Sequence, residues 1–499
     1  MELQFQKSPL DCLQRAAWEV KNEEQTQEVK IPEAMPDIGK VLGAWGQALI
    51  RGKEWRGSGM SASGGVMTWV LYAPEDGSAP RTVEAWIPFQ VRWDFPDTQR
   101  DGSMIIDCQV RCVDARTVSA RKLMVRAVMS VAGEALEPVQ TEVYTPGELP
   151  EDVQVLRRSY PVRIPVEAGE KTFLLDEELP VPPACESLEK LLYYTLQPDI
   201  TEKKVMADKI IFRGMAQVHA LCRCEDGMLN TCDFEIPFSQ YAELERLYGP
   251  YATVRVVPAV TNLELESHGD GILRFKAGLV AQYVIYDCPV LEIVEDAYST
   301  SRSVALHTQE LTLPAVLEER QETMKAEQSL EIDGRQLLDI GFTTEHPSQM
   351  RRDDTMQLEM PGSFQLLCYD EDGGLKSGTA RWEGNMEFSA AQGAQVLISC
   401  HVSGRPQASV GGGAASMRCD VGVDMMTVTK TGFPMVTALE LGEQVEPDPG
   451  RPSLILRRSE KGSLWHIAKQ CGSTVEAIRQ ANNLTEEPEE GRILMIPIS

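Results

Sequence analysis

The sequence predicts a mainly β protein in which three diverged antiparallel, sandwich-like repeats precede a small C-terminal strand–helix–helix–strand unit. Three observations carry this prediction. The tripeptide Glu-Asp-Gly occurs three times, at Glu75–Gly77, Glu225–Gly227 and Glu371–Gly373, with spacings of about 150 residues. A Pro-rich acidic stretch at 442–452 then interrupts the chain, and helical periodicity follows only in the last segment.

Each Glu-Asp-Gly follows an apolar, strand-like run, and Asp-Gly tolerates the positive φ of tight hairpin turns. The chain returns through Ile87-Pro88-Phe89 in the first copy and Ile236-Pro237-Phe238 in the second. Proline at this point marks a strand end or an edge strand. The third copy has lost the proline and is degenerate.

These patterns predict six segments. They are an N-terminal helical segment at 1–25, β-rich repeats at 26–145, 146–298 and 299–441, an extended linker at 442–452, and the terminal unit at 453–499. The first helix is predicted because Leu10, Leu13, Ala17 and Val20 follow a helical spacing and Ser-Pro, a typical helix start, precedes them. A second short helix is expected around 187–192.

Composition excludes several functional classes. The net charge of −27 argues against a nucleic-acid partner, because phosphate binding needs clustered Lys and Arg. No apolar stretch is long enough for a membrane span, and the N-terminus has no signal-peptide core, so a cytoplasmic location is expected. The twelve cysteines are expected to be reduced and buried.

The terminal unit begins with a strand at 454–456 and ends with a strand at 493–497. Between them, Ser463 and Thr474 are positioned to cap two amphipathic helices. The series Ser463-Leu464-Trp465-His466-Ile467-Ala468, Ala481-Asn482-Asn483-Leu484 and Leu494-Met495-Ile496-Pro497 resembles the LysM motif.

LysM modules typically bind N-acetylglucosamine polymers in a shallow groove. The resemblance implies a groove lined by Lys461, Gly462, Ser463, Leu464, Asn482, Asn483, Leu484 and Thr485. Here Lys461-Gly462-Ser463 replaces the usual Gly-Asp-Thr, and an acidic run at 486–490 adjoins the groove. Both departures favour a protein partner over a glycan. Trp465 is expected to pack in a core rather than against a sugar.

The repeats resemble the spore coat structural (SPOCS) domain. The resemblance rests on Ile31-Pro32, Met35-Pro36-Asp37-Ile38, Ile87-Pro88-Phe89 and Ile236-Pro237-Phe238-Ser239-Gln240. SPOCS repeats followed by a LysM module are typical of sporulation proteins of spore-forming Clostridia and their relatives. The resemblance implies a structural adaptor in the mother-cell cytoplasm, at the forespore surface and spore coat. Its LysM part would contact a coat morphogenetic protein, the ATPase of the coat basement layer.

The remaining motifs indicate no catalytic residue, metal site or cofactor. His219, Cys222, Cys224 and Cys232 suggest zinc, but alternation along a strand turns His219 away from the cysteines, so buried thiols are expected. No catalytic Cys/His or paired-carboxylate pattern is evident, and the sequence predicts a non-enzyme. The alternative is a cell-wall protein whose LysM module binds peptidoglycan.

Overall fold

The computed structural model describes residues 2–95, 102–269, 271–444, 450, 452–459 and 464–498. The protein is mainly β, and its strands pair antiparallel. Two short helices lie near the C-terminus, and within the described residues neither they nor any other helix has the length and apolarity to cross a bilayer.

The first strands form what we call unit 1. Its strands are β2 (Gln6–Lys30), β3 (Ile38–Arg56), β4 (Gly59–Pro74), β5 (Arg81–Asp94), β6 (Ser103–Ser119) and β7 (Lys122–Thr145). Strands β3, β4 and β5 form a three-stranded meander, whereas β2 returns to pair with β7 in a sheet of order β2-β7-β6. The pairing of β2 with β7 runs almost the whole length of both strands and forms a long ribbon.

Unit 2 repeats this arrangement with its ribbon interrupted. Its strands are β8 (Val153–Pro161), β9 (Ile164–Pro180), β10 (Leu188–Met206), β11 (Lys209–Cys224), β12 (Leu229–Glu243), β13 (Thr253–Ser267), β14 (Ile272–Asp287) and β15 (Val290–Ser299), with a 3₁₀ turn at Pro183–Cys185. The meander is β10-β11-β12, and the ribbon consists of β9 with β14 followed by β8 with β15.

Unit 3 has the longest ribbon. Its strands are β16 (Arg302–Glu331), β17 (Gln336–Thr344), β18 (Ser348–Arg352), β19 (Thr355–Tyr369), β20 (Leu375–Ser389), β21 (Gln395–Gly411) and β22 (Ala414–Gln444). Strand β19 pairs with β17, β18 and β20, and β22 pairs with β16 and β21. The short N-terminal strand β1 (Glu2–Gln4) also pairs with β22, so the start of the chain joins the last ribbon.

The repeated Glu-Asp-Gly turns lie where the sequence predicts hairpins. They connect β4 to β5, β11 to β12 and β19 to β20. Gly77, Gly227 and Gly373 have φ of 72°, 84° and 77°, a conformation that favours glycine. Pro88 and Pro237 lie in β5 and β12, which are edge strands of their meanders as predicted.

Two predicted helices are wrong. Of the predicted helix at 1–25, the described residues 2–25 form β1 and most of β2, and the segment at 187–192 begins β10. The helical spacing of Leu10, Leu13 and Ala17 is a local pattern, whereas the structure pairs β2 with β7 more than a hundred residues later. A register shift between Arg15 and Ala17 changes the phase of the buried residues in β2, which removes the strict alternation of a regular strand.

The three units have separate cores and also share cores. Leu13 of unit 1, Val284 of unit 2 and Leu397 of unit 3 belong to one buried cluster. A second shared cluster joins the meanders and includes Trp69, Leu221 and Leu367. Strands of all three units line a central cavity of about 1010 Å³.

The C-terminal module contains β23 (Leu454–Arg458), α1 (Leu464–Cys471), α2 (Val475–Asn482) and β24 (Ile493–Pro497). The two strands pair antiparallel. The predicted linker at 442–452 begins too early, because 442–444 still belong to β22, where Gln444 pairs with Arg302. The rest lies partly outside the described residues, at 445–449 and 451.

Candidate functional site

Local capping explains how the helices of the C-terminal module form. Thr474 is extended and its side chain accepts a hydrogen bond from the backbone N–H of Ala477 at 3.1 Å, which starts α2. Asn483 ends α2 in the left-handed conformation, with φ of 51°. Leu464, Ile478 and Leu494 are fully buried between the helices and strands.

The predicted groove residues divide into three groups. Lys461, Gly462 and Ser463 lie outside the described residues. Leu464 is fully buried and Leu484 packs on the module core. The third group lies at the C-terminal end of α2 and directly after it: Asn482 is half-buried, and Asn483 and Thr485 are exposed.

Polar groups at the two ends of this groove are engaged within the module. The Asn482 side chain donates to the carbonyl oxygens of Ile478 and Met495 and accepts from the Met495 N–H. It therefore ties α2 to β24. The backbone N–H of Leu464 at the start of α1 donates to the Glu487 carboxylate at 2.9 Å. Both groups would have to exchange these partners to bind a sugar.

Trp465 is buried, as predicted, but its contacts extend beyond the module. Its indole N–H donates to the Asp296 carboxylate on β15 at 2.8 Å. Its ring meets that of Tyr298 edge to face, with centroids 4.8 Å apart. The sequence could not reveal this contact, because it joins positions about 170 residues apart.

Asp296 is the centre of the contact between the module and unit 2. Lys469 of α1 donates to both of its oxygens, at 2.6 and 2.8 Å. Burial opposes ionisation of Asp296, but the hydrogen bonds from Lys469 and Trp465 outweigh it and lower its pKa. The Tyr298 hydroxyl donates to the Ser473 carbonyl at 2.8 Å, and burial raises the pKa of Tyr298 to about 12.

The opposite side of the module exposes an apolar strand face. Leu454 and Leu456 of β23 are 47% and 66% exposed, and Ile493 and Met495 of β24 are 61% and 41% exposed. Cross-strand pairing places Leu456 opposite Met495. This face is not among the predictions from the sequence, although the signal is present: residues 454–456 and 493–496 are continuously apolar, so one face of the strand pair must expose apolar side chains.

A charged cluster joins units 2 and 3 beside the central cavity. His219 contacts Asp233 at 2.7 Å through Nδ1, and through Nε2 it contacts Asp339 at 2.9 Å and the Tyr193 hydroxyl at 3.1 Å. Tyr193 in turn donates to Asp339 and stacks on Trp45 of unit 1 at 4.2 Å. Residues from all three units thus meet here.

The charges of this cluster favour a stabilising role at the junction of the units over a role in proton transfer. Burial alone would lower the pKa of His219, but Asp339 and Asp233 outweigh it and raise the pKa to about 10. An imidazolium with both nitrogens bonded to acids has no free site to accept a proton at neutral pH.

The comparisons with known proteins identify one segment. Residues 187–267 match the family model described as SipL, SPOCS domain. The segment is similar to a SPOCS domain. It spans β10 to β13 of unit 2, and a SPOCS domain indicates a sporulation-related spore-coat protein. No curated protein and no solved structure matches the chain.

Proposed function

We propose that this protein is a non-enzymatic structural adaptor of spore-envelope assembly. Its SPOCS-like, strand-rich units serve as the scaffold, and its LysM-like C-terminal module docks a coat morphogenetic protein. The site of action is the mother-cell cytoplasm at the forespore surface. The SPOCS match at 187–267 supports the connection with sporulation.

The exposed apolar face of β23 and β24 carries the docking proposal. Four large apolar side chains on two short strands form a patch that water solvates poorly, and such patches are typical of protein-binding surfaces. Arg458 is exposed and pairs across the strands with Ile493, so it lies at the edge of this patch. This composition fits a partner that presents an apolar surface with an acidic rim.

The polar groups of the predicted groove form hydrogen bonds within the module, which supports a protein partner over peptidoglycan. Glycan recognition depends on directional donors and acceptors. Here the Asn482 side-chain amide is hydrogen-bonded to the backbone of β24, and the first N–H of α1 donates to Glu487. The Glu487 carboxylate also places negative charge where an uncharged acetamide would bind.

A binding experiment with the full chain tests this proposal. The purified basement-layer ATPase of the coat is titrated onto the immobilised protein and onto a Leu456→Asp/Ile493→Asp variant. We expect the variant to bind at least about 30-fold more weakly, since central apolar contacts contribute about 2 kcal/mol or more.

Leu247→Asp is the matched control, because Leu247 is 79% exposed on unit 2 and is not among the residues that pack against the module core. It should bind as the unchanged protein does. Equal affinity of all three proteins would contradict docking through the strand face, and absence of binding by the unchanged protein would contradict this partner.

A further inference from the structure

Three buried thiols meet in unit 2. Cys185 lies in the 3₁₀ turn after β9, Cys222 on β11 and Cys232 on β12. Their sulfur atoms all lie within 4.8 Å of one another, and those of Cys222 and Cys232 are 3.4 Å apart. In the part of the chain that the structure describes, no other group of three or more Cys, His, Asp or Glu residues is gathered this closely.

Unit 1 shows what the fold requires at these positions. Because the two units repeat the same strand pairings, each thiol has a counterpart. The pairs are Cys185 and Met35, Cys222 and Tyr72, and Cys232 and Val83. The three counterparts pack together in the core of unit 1.

Backbone contacts establish the correspondence. Cys185 and Met35 each donate a backbone N–H to the carbonyl oxygen of the proline three positions earlier, at 2.8 and 2.9 Å. Cys222 and its counterpart in unit 1 each lie three residues before the glutamate of the Glu-Asp-Gly turn. Cys232 and its counterpart each pair with the residue five positions before that glutamate. Ordinary apolar side chains therefore fill this part of the core in unit 1, and packing alone does not require three thiols in unit 2.

We propose that Cys185, Cys222 and Cys232 form a binding site for a thiophilic d¹⁰ metal ion, Zn²⁺ or Cu⁺. This site is independent of the proposed adaptor function and departs from the sequence-based expectation of no metal. His219 does turn away from the thiols, towards Asp233 and Asp339. Cys185 joins Cys222 and Cys232 from the 3₁₀ turn at Pro183–Cys185, far from them in the sequence, so the strand pattern alone does not predict it.

The geometry and chemistry suit such an ion. Metal–sulfur bonds of about 2.3 Å place tetrahedral ligand sulfurs about 3.8 Å apart, close to the spacing here. Soft thiolates select ions of this class over Mg²⁺ or Ca²⁺. Binding replaces the thiol protons, which are released to solvent. Zn²⁺ requires a fourth ligand. Cys224 is buried two residues from Cys222 on the same strand, but it lies outside the 4.8 Å group and would have to turn towards the ion to supply that ligand.

Metal titration of the reduced full chain tests the site. Cd²⁺ is the first probe, because sulfur-to-cadmium charge transfer absorbs in the ultraviolet. Zn²⁺ and Cu⁺ are then competed against Cd²⁺ and against chelators, with and without Cys224→Ala. We expect one ion per chain, and we expect Cys222→Ala and Cys232→Val to lose this stoichiometric binding. Loss of Zn²⁺ binding in Cys224→Ala would identify Cys224 as the fourth zinc ligand, and Cu⁺ binding that is unchanged in the same variant would show that the three thiols suffice for copper. Either outcome supports the site.

Cys368→Ala is the matched control. Cys368 of β19 occupies the place of Cys222 in unit 3 and is equally buried, but it is not in the thiol cluster. It should bind metal as the unchanged protein does. Cys232→Val keeps a side chain that unit 1 uses at this position, and circular dichroism checks that it folds. Absence of stoichiometric binding by the folded unchanged protein would overturn the proposal, as would a Cys222–Cys232 disulfide that persists after reduction.

Discussion

The three units are joined to one another differently from the way the C-terminal module is joined to them. Between units 1 and 2, the Glu134 carboxylate is almost fully buried and binds Arg15 at 2.8 Å and also Arg255. The module instead meets unit 2 mainly through Asp296 and Tyr298, and its own residues form most of its core. The comparison indicates that the units form one cooperative body, from which the module can separate at smaller cost.

The largest expected effect comes from breaking the buried charge cluster. Glu134→Ala leaves the guanidinium groups of Arg15 and Arg255, which are largely but not fully buried, without their acid. We therefore expect a loss of about 3–5 kcal/mol in the free energy of unfolding. Denaturant unfolding measures it. Glu202→Ala removes an exposed pair with Arg213 and should cost only about 0–1 kcal/mol. Equal losses in the two variants would contradict a structural role for the cluster.

The pH dependence of stability sharpens the same comparison. Burial opposes ionisation of Glu134, but Arg255 and Arg15 lower its pKa from 4.5 to about 2. Its contribution to stability is therefore present above pH 4.5 and is lost as the pH falls through about 2. The pKa of His219 is raised, so its effect on stability depends on pH in the opposite direction. The stabilisation by His219 is present below about pH 6.5 and is lost as the pH rises towards about 10.

Thermal unfolding between pH 2 and 10 tests both windows. Glu134→Gln should flatten the acid limb and leave the alkaline limb unchanged, and His219→Gln should do the reverse. An alkaline limb that is unchanged in His219→Gln would mean that this histidine does not stabilise the junction of units 2 and 3.

Separation of the module is the next effect in size. Asp296→Ala removes the acceptor shared by Trp465 and Lys469, and hydrogen bonds to charged groups contribute about 1.5–3 kcal/mol. We expect amide hydrogen exchange of β15 and α1 to accelerate about 10-fold or more, with units 1 and 3 unaffected. Glu292→Ala on the same strand is the control, and acceleration in that variant alone would contradict the role of Asp296.

The smallest expected effect on stability is at the exposed strand face. Leu456→Asp should change the free energy of unfolding by no more than about 0.5 kcal/mol, because the side chain is 66% exposed. Ile496→Asp, on the buried face of β24, should unfold the module. If Leu456→Asp destabilised the protein as strongly, the face would be part of a core and not a docking surface.

The comparison also separates what the sequence could predict from what it could not. The Glu-Asp-Gly hairpins and the α2 cap are local, so residues a few positions apart identify them. The ribbon strand β2 depends on pairing with β7, and its Glu- and Gln-rich sequence gives little sign of a strand. The contacts of Asp296, His219 and Cys185 are non-local too, because each depends on how distant strands meet.

Co-sedimentation of the full chain with purified peptidoglycan sacculi tests the central claim, that the module serves a protein partner and not a glycan. Asn483→Ala/Thr485→Ala is the companion variant, since both side chains are exposed at the predicted groove. The account predicts no saturable pelleting of either protein. Saturable pelleting of the unchanged chain that the variant loses would contradict the account and identify a peptidoglycan-binding protein.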